Sequence, residues 1–205
     1  GAGSNPRIGE EAARESETEI KKRLSNSDMV FITCGLGGGT GTGAAPVVAQ
    51  VAKDTGAIVI GTVTMPFNIE RARCDKAEFG LQQLRQVSDT VIVIDNNRLV
   101  NIAGNLPVQQ AFAVANELLS TMIKGIVETI AVPSLVNLDY ADVRAIMKNG
   151  GVAAIGVGAS DTTNRADEAV KGALQNPLLD INYKGATGAL IHIIGGPDMT
   201  LDEIS

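Results

Sequence analysis

The segment Gly35-Leu36-Gly37-Gly38-Gly39-Thr40-Gly41-Thr42-Gly43 puts six glycines into nine residues, directly after an apolar run and directly before a helical pattern. A strand or helix interior does not tolerate that density, because each glycine adds to the backbone entropy lost on ordering. The segment therefore reads as a connection whose backbone takes positive φ or lies hard against another surface. Between a strand and a helix, its N–H groups gather at a helix N-terminus and form a cradle for an anion. Thr40 and Thr42 can add hydroxyl donors. A tight turn without a ligand is the competing explanation, and the strand–loop–helix context argues against it. There is no Gly-Lys-Ser/Thr ending, so this is not a Walker loop. It imitates the dinucleotide pattern only loosely, because no acidic residue closes a strand about 20 residues further on.

Around this loop the pattern alternates. A helix is expected over 6–24, with Asn5 as cap and Pro6 at its first position, then a buried strand over 29–33 and a helix from Ala44 to about Lys53. A strand over 57–64, a helix over about 70–86 and a strand over 90–94 follow, the strands rich in Val and Ile. This rhythm predicts an α/β fold, a parallel sheet covered by helices on both faces. After the turn Asp95-Asn96-Asn97 comes a long helical pattern over 107–130, with Phe112, Leu119, Met122, Ile126 and Val127 among its apolar positions. A helix near Asp139, a strand over 152–157, a helix over 165–174 and a strand over 188–194 predict a second, smaller α/β unit. The expected division is a ligand-binding domain over 1–106, a central helix over 107–130 and the first part of a second domain over 131–205.

Composition excludes several alternatives. The 205 residues, 44% hydrophobic and 20% charged, suffice for a sizeable core, and no apolar run approaches the roughly 20 residues of a membrane span. The start of the chain has no basic and apolar stretches of a secretory leader, so a cytoplasmic protein is expected. Cys34 and Cys74 make no disulfide framework, and the single histidine, His192, supports neither a zinc site nor a histidine-based triad. A net charge of −6 and 3% aromatic residues disfavour nucleic acid as a partner while leaving room for a small phosphorylated ligand.

The run Gly37-Gly38-Gly39-Thr40-Gly41-Thr42-Gly43-Ala44-Ala45-Pro46 resembles the signature of the tubulin/FtsZ superfamily, and its Ala-Ala-Pro continuation resembles the FtsZ branch. The likeness extends from Gly1-Ala2-Gly3-Ser4-Asn5-Pro6, similar to the family's γ-phosphate loop, to Gly195-Gly196-Pro197-Asp198-Met199-Thr200-Leu201. The stretch Gly185-Ala186-Thr187-Gly188-Ala189-Leu190-Ile191-His192 is similar to archaeal members. The resemblance implies a three-layer, Rossmann-like GTPase domain with a long central helix and the start of a smaller α/β domain. It also implies that the family's first strand and first glycine-rich loop precede Gly1, and that part of the C-terminal domain follows Ser205.

By the same resemblance GTP or GDP is held by Gly37, Gly38, Gly39, Thr40, Gly41 and Thr42, with the N–H groups of Ala2 and Gly3 closing over the γ-phosphate. Mg2+ arrives through the phosphates. Pro66-Phe67-Asn68-Ile69-Glu70 resembles the loop whose glutamate binds the ribose hydroxyls, and a carboxylate is a sound acceptor for two such donors. The family places a phosphate-contacting arginine four residues later; here Cys74 has that spacing and Arg73 comes one residue early, so the role is assigned to Arg73. Phe112 and Asn116, one helical turn apart, are implied to stack on and hydrogen-bond the guanine, with Asn96 adding a contact. A core role for Phe112 and a solvated one for Asn116 are the alternatives.

Asn137-Leu138-Asp139-Tyr140-Ala141-Asp142 resembles the family's NxDxAD motif. Two readings fit: Asp139 and Asp142 cap a helix, or they are catalytic. The resemblance implies the second. Asp139 and Asp142 would polarise water on the nucleotide of a neighbouring subunit, with Asn137 positioning it, in head-to-tail filaments that serve cell division at the division site with adaptor proteins. The runner-up is a structural or regulatory homologue that assembles with little or no hydrolysis; a dinucleotide oxidoreductase is disfavoured by the missing ribose acid.

Overall fold

The computed structural model describes residues 1–98, 104–132, 139–148, 151–175 and 185–204. Four strands, β1 (Met29–Gly35), β2 (Ile58–Met65), β3 (Thr90–Asp95) and β4 (Gly151–Ala153), form one sheet in the order β1-β2-β3-β4, each neighbour parallel. In register, Gly35 lies beside Thr64 and Met65 beside Asp95, so the first three strands end along one edge.

The period-two alternation of each strand sends side chains to opposite faces. Val30, Ile32, Val59, Val63 and Val91 join Ala45, Ala49 and Ala52 of α3 (Thr40–Asp54) and Ala77, Leu81 and Leu84 of α4 (Ala72–Val87) in one core. On the other face Ile58, Ile60 and Ile92 meet Phe31, Ile155 and two residues of the helix Tyr140–Met147, namely Tyr140 and Met147. Helices thus lie on both faces, giving the three layers that the strand–helix rhythm predicts.

Several boundaries differ from the sequence pattern. The N-terminal helix divides at Ser16 into α1 (Pro6–Glu15) and α2 (Glu17–Leu24). Asn5 caps α1, its Oδ1 accepting from the Arg7 N–H at 3.1 Å. α3 starts at Thr40, one turn before Ala44, because the backbone of α1 packs directly on Gly39 and Gly43 and holds that stretch helical. The long helix, α5 (Val108–Ala131), buries Met122 and Ile126 but leaves Phe112 and Val127 about 40% exposed. With Tyr140–Met147 as α6, the last helix is α7 (Arg165–Leu174).

The expected strand over 152–157 is reduced to the three residues of β4, and 188–194 forms no strand. A strand needs a ladder partner, and the exposed Ile191, Ile193 and Ile194 pair with none among the described residues. This part is held instead by Arg165, whose guanidinium bonds Asp198 at 2.8 Å and Glu203, lowering the Glu203 carboxyl to about 2.

Candidate nucleotide site

The carboxyl ends of β1, β2 and β3 open into a cleft of about 310 Å³. Gly35 closes β1 and the β1–α3 connection contributes Leu36 and Gly38; the β2–α4 connection contributes Pro66, Phe67 and Glu70, and the first turn of α4 Arg73; Asn96 follows β3 and Phe112 comes from α5. In an open parallel sheet this edge is where backbone N–H groups and helix N-termini converge, and ligands bind there.

The glycine-rich loop is shaped from within. Gly37 has φ +99° and packs on Arg73 and Pro66, a conformation and a space closed to other residues. Its N–H donates to the Thr42 hydroxyl at 2.9 Å, and the Leu36 N–H to the Thr64 carbonyl at 3.0 Å. Thr42 is 2% exposed. The sequence resemblance assigns it to the nucleotide; in the structure its hydroxyl supports the loop by accepting from Gly37, and its methyl group lies against Gly80 of α4. Thr40 is exposed at the α3 N-terminus, where no side chain caps the first turn, so the first N–H groups of the helix have no side-chain acceptor there. Replacing Thr42 by Val keeps the shape but leaves a buried N–H without an acceptor. It should lower stability by about 2 kcal/mol in a denaturant titration, while Thr42→Ser stays near the parent.

Ala2 and Gly3 are brought to the same place. The Asn5 N–H donates to the Ala2 carbonyl at 2.8 Å across a turn in which Gly3 and Ser4 both have positive φ, and Ala2 lies against Gly39. Lys76 of α4 fixes the turn by donating to the Ser4 carbonyl at 2.8 Å. Gly41 packs behind the loop on Cys34, whose thiol is pushed up to about 11 by burial and so stays protonated.

Glu70 and Arg73 form an ion pair at 2.7 Å, and the other Glu70 oxygen accepts from the Phe67 N–H at 3.1 Å. The early position of Arg73 therefore still delivers its side chain to the cleft. Phe67 and Phe112 meet edge to face, centroids 6.0 Å apart, as an aromatic wall. Phe112 thus lines the cleft, while Asn116 is exposed one turn along and is not among the lining residues. Sequence reasoning did not single out Phe67, Asp95 or Asn97. The signal available for Phe67 was its place three residues before Glu70; for Asp95 and Asn97 it was only a polar turn after a strand.

Asp139 and Asp142 lie elsewhere. Asp139 Oδ1 accepts from the Asp142 N–H at 2.9 Å and Asp142 Oδ2 from the Asp139 N–H at 3.3 Å, a capping box on α6. On the same helix the Tyr140 hydroxyl donates to the Asp28 carbonyl and Arg144 to the Gly56 carbonyl, residues that precede β1 and β2. α6 therefore sits at the amino edge of the sheet, with both acids exposed. β2 has eight residues, so the two edges are roughly 23 Å apart. Asn137 lies outside the described residues.

Fold and site together define a parallel three-layer α/β protein with an anion-ready cleft at the carboxyl edge of its strands. The tubulin/FtsZ family model for the GTPase domain matches residues 1–104, and the FtsZ C-terminal domain model matches 151–205. The chain belongs to the tubulin/FtsZ family. It is 56% identical over 206 residues to cell division protein FtsZ 2 of Methanocaldococcus jannaschii, covering 99% of this chain and 54% of that protein. To cell division protein FtsZ 1 of Archaeoglobus fulgidus it is 58% identical over 204 residues, covering 99% and 55%. An empty FtsZ dimer from M. jannaschii superimposes with a TM-score of 0.92 at 55% identity, covering 99% of this chain and 60% of that one. The chain thus spans about half the length of these curated relatives.

Proposed function

We propose that this chain is the nucleotide-binding core of a filament-forming GTPase of cell division, in which each active site is shared by two copies. The cleft takes GTP: Gly38, Gly39, Thr40 and Gly41 receive the phosphates, Ala2 and Gly3 close over the γ-phosphate, Glu70 meets the ribose and Phe112, Asn96 and Asn116 the guanine. Among the described lining residues Glu70 is the one carboxylate, and both its oxygens are engaged. Magnesium therefore belongs to this site through the phosphate oxygens, where it would offset negative charge.

What supports sharing is the separation of the acids from the cleft. Asp139 and Asp142 are exposed at the edge of the sheet opposite their own cleft, so by this reading another copy presents them to it. A head-to-tail contact between unlike surfaces makes a filament when its rotation does not close into a ring. Phosphoryl transfer asks mainly for positioning and charge stabilisation, which two carboxylates holding a water can supply. By this reading the protein works in the cytoplasm at the division site with adaptor proteins.

The capping box keeps one alternative in play, a homologue whose filaments matter and whose hydrolysis is slow or lost, since that arrangement already gives both acids a structural role. Phosphate release measured beside light scattering at several protein concentrations separates the two. Turnover per subunit should rise steeply where scattering appears; turnover that is flat with concentration contradicts the shared site, and scattering without release favours the alternative.

A further inference from the structure

We propose that Asn97 is a positioning residue that holds the two base-side walls of the cleft in register, an inference that rests on the cleft binding a guanosine nucleotide. One wall is the β2–α4 connection carrying Phe67 and Glu70; the other is the exit of β3 carrying Asn96. These connections are 29 residues apart in sequence, and the Asn97 side chain bridges them. Asn97 Oδ1 accepts from the Asn68 N–H at 2.8 Å, and its Nδ2 donates to Asn68 Oδ1 at 3.2 Å and to Asp95 Oδ1 at 2.7 Å. Its backbone N–H also donates to Asp95 Oδ1, at 2.8 Å.

Only an amide can fill this position, because the side chain must accept on one atom and donate twice on the other. Asn68 stands between Phe67 and Glu70 in the short 3-10 turn Asn68–Glu70, so fixing its backbone fixes the aromatic ring and the carboxylate on either side. The bond to Asp95 is charge-assisted and half-buried, which makes it the strongest that the Asn97 side chain forms. The phosphate side does not depend on Asn97, being held by the Thr42 strut and the bond from Leu36 to Thr64. Asn97 therefore governs the nucleoside half of the ligand and not the phosphate half.

The test compares GDP with inorganic tripolyphosphate on the whole chain. Asn97→Ala is expected to weaken GDP about tenfold, the order that losing a charge-assisted bond and its partner implies, and to leave tripolyphosphate affinity within about twofold. Asn97→Asp sets a second carboxylate against Asp95 and should be worse for GDP; adding Asp95→Asn restores a donor between positions 95 and 97 and should recover part of the loss, the bond to Asn68 Oδ1 staying lost. A purely structural role would move both ligands together and lower the melting temperature in parallel, and that outcome overturns the proposal. Equal GDP affinity in Asn97→Ala also overturns it. Failure of the unsubstituted chain to bind GDP overturns the functional reading, and this inference with it.

Discussion

Asp142→Ala should cut phosphate release from GTP at least about 100-fold while leaving GTP affinity within about twofold, because a group that polarises water acts on the barrier and not on the cleft of its own chain. Asp142 also closes the capping box of α6, so the alanine variant loses a cap along with a charge. Asp142→Asn separates the two roles: its amide oxygen still accepts from the Asp139 N–H, but the charge is gone. If the charge is what matters, the asparagine variant is as inactive as the alanine one; if only the cap matters, it recovers. Mixing supplies the stronger test. Gly38 has open space around it, with no atom within 4 Å of an added Cβ, so Gly38→Glu should fold while placing a carboxylate where phosphates would lie. Each variant alone is expected to be inactive. Together they should regain turnover at the interfaces where an intact cleft of the Asp142→Ala copy meets the intact acidic helix of a Gly38→Glu copy. No recovery in the mixture would remove the shared site.

The second large effect concerns stability. In Gly43→Ala an added Cβ falls within contact of the Pro6 carbonyl and 2.7 Å from the Glu10 nitrogen, both backbone, so α1 must move off α3. Overpacking against rigid backbone costs about 3 kcal/mol or more, a drop of roughly 6–12 °C in melting temperature for a chain of this size. Gly38→Ala meets nothing and should leave the melting temperature within about 1 °C while weakening GTP. Two glycines of one loop thus answer to different demands: Gly43 to helix packing, Gly38 to the ligand. Equal melting temperatures for the two variants would show that α1 does not pack as closely on α3 as described.

The parallel sheet was legible because apolar runs alternate with 3.6-residue periodicity, and that alternation depends on local pattern alone. The glycine-rich connection between β1 and α3 was legible for the same reason, since six glycines in nine residues after a strand constrain the backbone whatever surrounds them. The extra turn of α3 was not, because it depends on contact with α1. The expected strand over 188–194 failed on the converse ground: apolar alternation makes a strand only where a neighbour offers hydrogen bonds.

By itself, then, the order of residues determined the α/β alternation, the glycine-rich connection after β1, and the helix capped at Asp139. Tertiary structure decided what each side chain does there. It turned Thr42 inward as a strut, joined Glu70 to Arg73, recruited Asn97 between two connections, and set Asp139 and Asp142 at the edge opposite the cleft. The physical reason is distance along the chain. Periodicity and turn chemistry act over a few residues, whereas which wall faces which, and which end of a sheet an acid occupies, are settled by packing between segments tens of residues apart.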